Sequence, residues 1–226
     1  MLDDTELLEW CDGISKHFYD GARGQFRKLA CWFGPFEEFI YVDCDTVVLR
    51  DLMFSFELLQ GHDFLTSHSD MPQIRKWVWR DSIFEQSLLS GRQVSFAAST
   101  GYIVSRRDNL SREQVELSVI YGVQMKEHME PTTAEQPFLN LVIVMSGGSY
   151  SSISRCHRTL RLRDSPREQW GGFPELDNED GVITAATDRP IFLVHWAGKW
   201  QSGIHQQSKL WRFYRYTHTP GSKGAN

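Results

Sequence analysis

The sequence has no basic bias, no closely spaced cysteine pair and no long apolar run, and each absence removes a class of protein. Its formal charge of −5 argues against a nucleic-acid binder, which presents a strongly basic face. The four cysteines, Cys11, Cys31, Cys44 and Cys156, form no C-x-x-C pair, so neither a zinc cage nor a disulfide framework is indicated. A reducing cytoplasm is therefore the expected setting. No apolar run approaches the ~18 residues of a membrane-spanning helix. Met1 is followed by acidic residues, not by a basic and then an apolar stretch, so no secretory signal is visible. Repeats, low-complexity tracts and linker-like stretches are also missing up to about position 215. The expectation is one domain over 1–215 and a flexible tail over 216–226.

What is present fits a single α/β core. In a chain of 226 residues, 41% apolar, one sizeable core can be buried. Phe39-Ile40-Tyr41-Val42 is a short β-branched and aromatic run ended by Asp43, which predicts a buried strand delivering a carboxylate to a sheet edge. A second strand is expected through Tyr102-Ile103-Val104, and a third, Ile191-Phe192-Leu193-Val194, ends at His195. Ser111 and Gln114 have capping-box spacing ahead of Val115, Val119 and Val123, which predicts an amphipathic helix. Another helix is expected from near Thr133 to Gly147-Gly148, with Glu135 in its first turn. Alternating strands and helices imply a mixed or parallel sheet flanked by helices, with ligands gathering at strand carboxyl ends. The run Arg155 to Arg163 alternates as an exposed strand face would.

Asp43-Cys44-Asp45 is the chemical focus. In an extended segment residues i and i+2 face the same way, so both carboxylates can converge on one hard cation while Cys44 turns into apolar packing. A lone D-x-D is as readily a turn residue followed by a cap; here it follows an apolar strand and precedes Thr46-Val47-Val48-Leu49, and that context favours metal binding.

Lys28-Leu29-Ala30-Cys31-Trp32 followed by Phe39 to Leu49 resembles the lysine-to-D-x-D block of glycosyltransferase family 8, the glycogenin and galactosyltransferase-like group with the Rossmann-like GT-A fold. Further likenesses follow in family order. Asp51-Leu52 resembles the turn after the metal motif, Ser99-Thr100-Gly101 the N-T-G strand, and Glu135-Gln136 with Leu139-Asn140 the D-Q-x-x-x-N helix start. His195-Trp196-Ala197-Gly198-Lys199-Trp200 resembles the H-x-x-G-x-x-K-P-W segment, in a shorter form without the proline. The resemblance spans about Lys28 to Trp200.

It implies a metal-dependent transferase moving a sugar from a nucleotide-diphosphate donor, by resemblance UDP-linked, to an unknown acceptor with retention. Asp43, Asp45 and His195 would hold the metal; the carboxylates suit Mn²⁺ or Mg²⁺, and the single imidazole tilts the choice toward Mn²⁺. Lys28, Asp43, Ser99, Thr100, Gly101, Gly198 and Lys199 would bind the nucleotide-sugar, the small residues letting backbone approach the sugar. Lys199 would offset charge on the departing diphosphate. Gln136 and Glu135 are the catalytic candidates, Gln136 beneath the anomeric carbon, although a carboxylate at a helix N-terminus also answers the helix dipole. Arg27 competes with Lys28 for its role. Trp77, Trp79 and Trp170 are candidate stacking surfaces for an acceptor, though such residues more often belong to a core.

Two other functions fit parts of the pattern. A haloacid-dehalogenase-type phosphatase also carries D-x-D after an apolar strand, but needs a later acidic strand end, and Asp177-Asn178-Glu179-Asp180 follows no apolar strand. A catalytically inactive nucleotide-sugar-binding protein would also keep the metal residues. Only 42 residues precede Asp43, whereas the family's first strand, helix and second strand need on the order of 80–100 built from βαβ units. The expectation is an N-terminally shortened domain with an exposed sheet edge.

Overall fold

Seven strands in two sheets organise the described residues, which in this computed structural model are 4–69, 72–85, 87–162, 166–171, 190–198 and 209–217. In chain order they are β1 (Glu38–Val42), β2 (Thr46–Val48), β3 (Phe64–Thr66), β4 (Tyr102–Arg106), β5 (Tyr150–Ser152), β6 (Arg167–Trp170) and β7 (Ile191–His195). The first sheet runs β1-β4-β3-β5 and the second β2-β7-β6. Each is mixed: β1 and β3 pair antiparallel to β4, and β5 parallel to β3. In the second sheet β2 is antiparallel and β6 parallel to β7. With helices packed around them, the class is mixed α/β.

Strand periodicity explains how β4 works. Every residue from Tyr102 to Ser105 is buried, and successive side chains alternate between faces. Ile103 joins a large core with Leu7, Phe26, Leu29, Phe64, Phe138 and Leu141. Tyr102 and Val104 face the other way, into a smaller core with Leu59, Leu65, Ile153 and Phe192. Full burial of one such aliphatic side chain contributes about 1.5–3 kcal/mol, so β4 holds the two cores in register. A third cluster packs Val47, Val194 and Trp196 under Leu210 and Trp211 of the helix Lys209–Thr217, which runs past the boundary expected at 215.

The capping box forms: Gln114 N donates to Ser111 Oγ at 3.2 Å and Ser111 N to Gln114 Oε1 at 2.8 Å, opening the helix Arg112–Gln124. Val115 and Val119 are buried, but Val123 is exposed, because Ser118 and Gly122 carry the inward face. Gly122 is needed there, since a β-carbon would come within 2.8 Å of the Phe18 ring. Over its described part, Arg155 to Leu162, the basic run forms no strand. Ser152 caps a helix Ile153–Leu160 by accepting from Arg155 N, and Ile153, Cys156 and His157 are buried at positions i, i+3 and i+4. Alternation over a few residues hid that helical period. The helix expected near Thr133 starts at Gln136 and ends at Met145, preceded by a 3₁₀ turn at Pro131–Thr133, with Glu135 at its N-cap. β1 and β5 are the terminal strands of the first sheet among the described residues. No described helix is long and apolar enough to cross a membrane.

Candidate metal centre

Val42 ends β1 of the first sheet and Thr46 opens β2 of the second, so Asp43-Cys44-Asp45 is the crossing between the two sheets. The crossing is a tight turn rather than the extended segment expected: Thr46 Oγ1 donates to the carbonyl of Asp43 at 2.7 Å. The turn brings the carboxylates together and leaves Cys44 pointing into solvent, not into apolar packing. Two backbone bonds fix its ends, Asp43 N to Gly101 O at 2.9 Å and Trp196 N to Asp45 O at 3.0 Å. His195 closes β7 directly opposite Thr46. Its Nε2 lies 3.3 Å from Asp45 Oδ1 and 3.6 Å from Asp43 Oδ2. One ligand atom from each of Asp43, Asp45 and His195 lies within 4.8 Å of the others. Asp45 and His195 are buried, whereas the Asp43 side chain keeps 22% exposure, marking the side open to a ligand.

Gly101 is indispensable for a reason the sequence did not reveal. A β-carbon there would overlap Cε1 of His195 and stand 2.9 Å from its Nδ1 and 3.0 Å from Asp43 Oδ2. The glycine makes room for the side chains of His195 and Asp43 themselves.

Behind Asp43 lies a buried lysine. Lys28, on the 3₁₀ segment Gly24–Phe33 and not on an α-helix, places Nζ 2.9 Å from Asp43 Oδ1 and 2.5 Å from Glu135 Oε1. Burial alone would lower its pKa, but the Glu135 and Asp43 carboxylates outweigh burial and raise it, so it stays charged. The Tyr41 hydroxyl donates to Asp43 Oδ1 at 2.6 Å, and burial with the adjacent carboxylate pushes that phenol up, keeping it a donor. Thr100 Oγ1 donates to Glu135 Oε1 at 3.2 Å. Gln136 uses both ends of its amide: Oε1 accepts from Thr100 N at 3.3 Å and Nε2 donates to the Trp77 carbonyl at 3.0 Å. Thus Lys28, Asp43, Thr100, Gly101, Glu135 and Gln136 form one contiguous wall. Arg27 points elsewhere, to Asp12.

Glu168 was missed by sequence reasoning. It sits on β6, 3% exposed, with Oε1 at 2.8 Å from His195 Nδ1 and Oε2 accepting from Ser67 Oγ. Burial lowers the His195 pKa, but hydrogen bonds with Asp45 and Glu168 overcome this and push it up to about 10. Asp45 and Glu168 are correspondingly lowered, their burial being outweighed by His195. Four carboxylates, from Asp43, Asp45, Glu135 and Glu168, face Lys28 and at most one further positive charge on His195. Such a surplus of enclosed negative charge, with an imidazole among oxygen donors, suits Mn²⁺ or Mg²⁺.

The remaining candidates are dispersed. Ser99 is buried next to Thr100. Gly198 occupies an exposed turn after β7 with φ +67°, a conformation open to glycine without penalty. Lys199, Trp200 and Asp177 to Asp180 lie outside the described residues. Trp79 is a core residue whose Nε1 donates to the Phe96 carbonyl, Trp170 is half-buried, and Trp77 is exposed. An open concavity of about 450 Å³, lined by Phe18, Tyr19, Arg23 and Lys126 among others, uses no residue of the centre. No protein-family model, curated protein or solved structure matches the chain.

Proposed function

We propose that this chain is a metal-dependent glycosyltransferase using a nucleotide-diphosphate sugar, most simply a UDP-sugar. The observation that carries the reading is the meeting of Asp43, Asp45 and His195 at a strand-end turn, with an exposed flank on Asp43. Three protein ligands are too few for a six-coordinate ion, so diphosphate oxygens are the natural complement. When bound, the ion would offset charge on the leaving diphosphate. The chain's own residues do the rest of the positioning. Lys28 fixes Asp43 and anchors Glu135, while Thr100 and Gln136 tie the segment before β4 to the helix Gln136–Met145. Lys199 enters the proposal only through the resemblance, as a partner of the diphosphate.

A phosphatase using Asp43 as nucleophile is less well supported. Its carboxylate is already bonded to Lys28 and Tyr41, which quiets a nucleophile. Calorimetry of UDP with Mn²⁺ tests the proposal: Asp45→Asn, or chelation of the wild type, should abolish Mn²⁺-dependent UDP binding. Unchanged UDP affinity in either case would sink it. Hydrolysis of UDP-sugars and of phosphomonoesters, each with and without Mn²⁺, separates the transferase from the phosphatase, and binding without turnover identifies an inactive nucleotide-sugar binder.

A further inference from the structure

Glu168 is too enclosed to meet a substrate, yet both its carboxylate oxygens are engaged. Oε1 lies 2.8 Å from Nδ1 of His195 and Oε2 accepts the hydroxyl of Ser67, the residue following β3. The Glu168 backbone carbonyl also stands 3.3 Å from Nε2 of His68. Parallel pairing of β6 with β7 sets this geometry, with Trp170 opposite His195 and a register shift between Arg167 and Glu168. Glu168 therefore links the end of β3 in the first sheet to the end of β7 in the second.

An imidazole can ligate a metal only through a nitrogen free of its proton, and the hydrogen bond at one nitrogen decides what the other can do. A carboxylate at Nδ1 keeps a proton there. The lone pair is then left to Nε2, the nitrogen facing Asp43 and Asp45, and the carboxylate makes that nitrogen the more basic one. We infer that Glu168 is the positioning residue of the centre, fixing His195 as an Nε2 ligand, and that Ser67 in turn fixes Glu168. This rests on the metal site proposed above, not on the identity of the nucleotide or the sugar. A side chain that merely tied the sheets together would serve folding and leave the choice of ligating nitrogen unaffected.

The test uses the full chain with Mn²⁺ alone, bound ion being read from loss of the free-ion paramagnetic resonance signal. Glu168→Gln keeps the shape and an acceptor oxygen but removes the charge, and should weaken Mn²⁺ binding by about 10–100-fold, the range for partners behind a ligating histidine. Ser67→Ala leaves every charge in place and should weaken binding by a smaller factor. With Zn²⁺ as a diamagnetic substitute, ¹⁵N spectra of the histidine-labelled wild type should show His195 protonated at Nδ1 and metal-bound at Nε2. If Glu168→Gln fails to fold, Ser67→Ala and the wild-type spectrum still decide. Wild-type Mn²⁺ affinity in both variants, or metal on Nδ1, overturns the inference. Absence of Mn²⁺ uptake by the wild type overturns it together with the metal centre. Uptake that needs Asp45 and Glu168 in a chain that ignores UDP would sink the transferase reading and leave the inference standing.

Discussion

Arg27 and Lys28 are adjacent cations, each within 3 Å of a carboxylate, and they have opposite consequences. Arg27 Nη2 lies 2.7 Å from Asp12 Oδ2 with half its side chain in solvent, whereas Lys28 Nζ lies 2.9 Å from Asp43 with 7% exposed. Water and salt screen the first pair, and ordering two long side chains offsets most of its attraction. In the second the cation is enclosed and shared between two acids, so it has almost no solvent to fall back on. Distance alone does not rank these contacts; the surroundings do.

Removing the buried cation should have the largest effect. Lys28→Met removes the cation shared by Asp43 and Glu135, leaving the buried Glu135 with no charged partner, and should cost about 3–5 kcal/mol of stability, read by chemical denaturation. Adding Glu135→Leu should recover part of that loss. A Lys28→Met protein no less stable than Arg27→Met would erase the contrast. Next is Gly101→Ala, whose new methyl collides with His195 and Asp43. Overpacking of this kind costs about 1–3 kcal/mol, and Mn²⁺ binding should disappear even where the fold survives, which calorimetry on the folded variant would check.

A third effect depends on pH. The His195 pKa is raised from 6.5 to about 10, so its pairing with Asp45 and Glu168 is fully present below pH 6.5 and is lost as pH rises through about 10. The gap in melting temperature between metal-free wild type and His195→Asn should therefore narrow across that window. A constant gap would mean that folding does not shift the His195 pKa. The smallest effect belongs to the outer pair: Arg27→Ala should leave the melting temperature nearly unchanged, with any difference shrinking further in salt. A substantial loss there would show that the surface pair matters as much as the buried one.

The parts of the centre visible in the sequence are those written in local pattern. An apolar run closed by one polar residue announced both Asp43 and His195, and the capping box announced the helix after Ser111. Glu168 lay out of reach because Arg167-Glu168-Gln169-Trp170 has neither apolar alternation nor a turn signal; pairing with β7 makes it a strand, and that contact is non-local. The Arg155 to Leu160 stretch failed through length, since two turns of helix sampled at alternate residues resemble a strand. The D-x-D reached the right convergence by the wrong geometry, because a turn closed by the Thr46 hydroxyl, not a strand pleat, aims the two acids. Glu135 and Gln136 were found as neighbours of the centre, but their bonds to Lys28, Thr100 and Trp77 are tertiary and carry no mark in the chain.

The crossing at Asp43-Cys44-Asp45 makes the centre a matter of folding as well as chemistry. Its candidate donors lie on the turn joining the two sheets and at the end of β7, so an ion held there would be chelated only while the sheets are docked and would act as a clasp between them. A ligand that binds only the docked state at a hundred times its dissociation constant adds about 2.7 kcal/mol to stability. Partial opening of either sheet would release such a cation. Metal content and the cooperativity of unfolding would then be one quantity: if the centre binds Mn²⁺ as proposed, the metal-free chain should melt in a broader transition than the Mn²⁺-loaded one, with the two sheets parting company before either is lost.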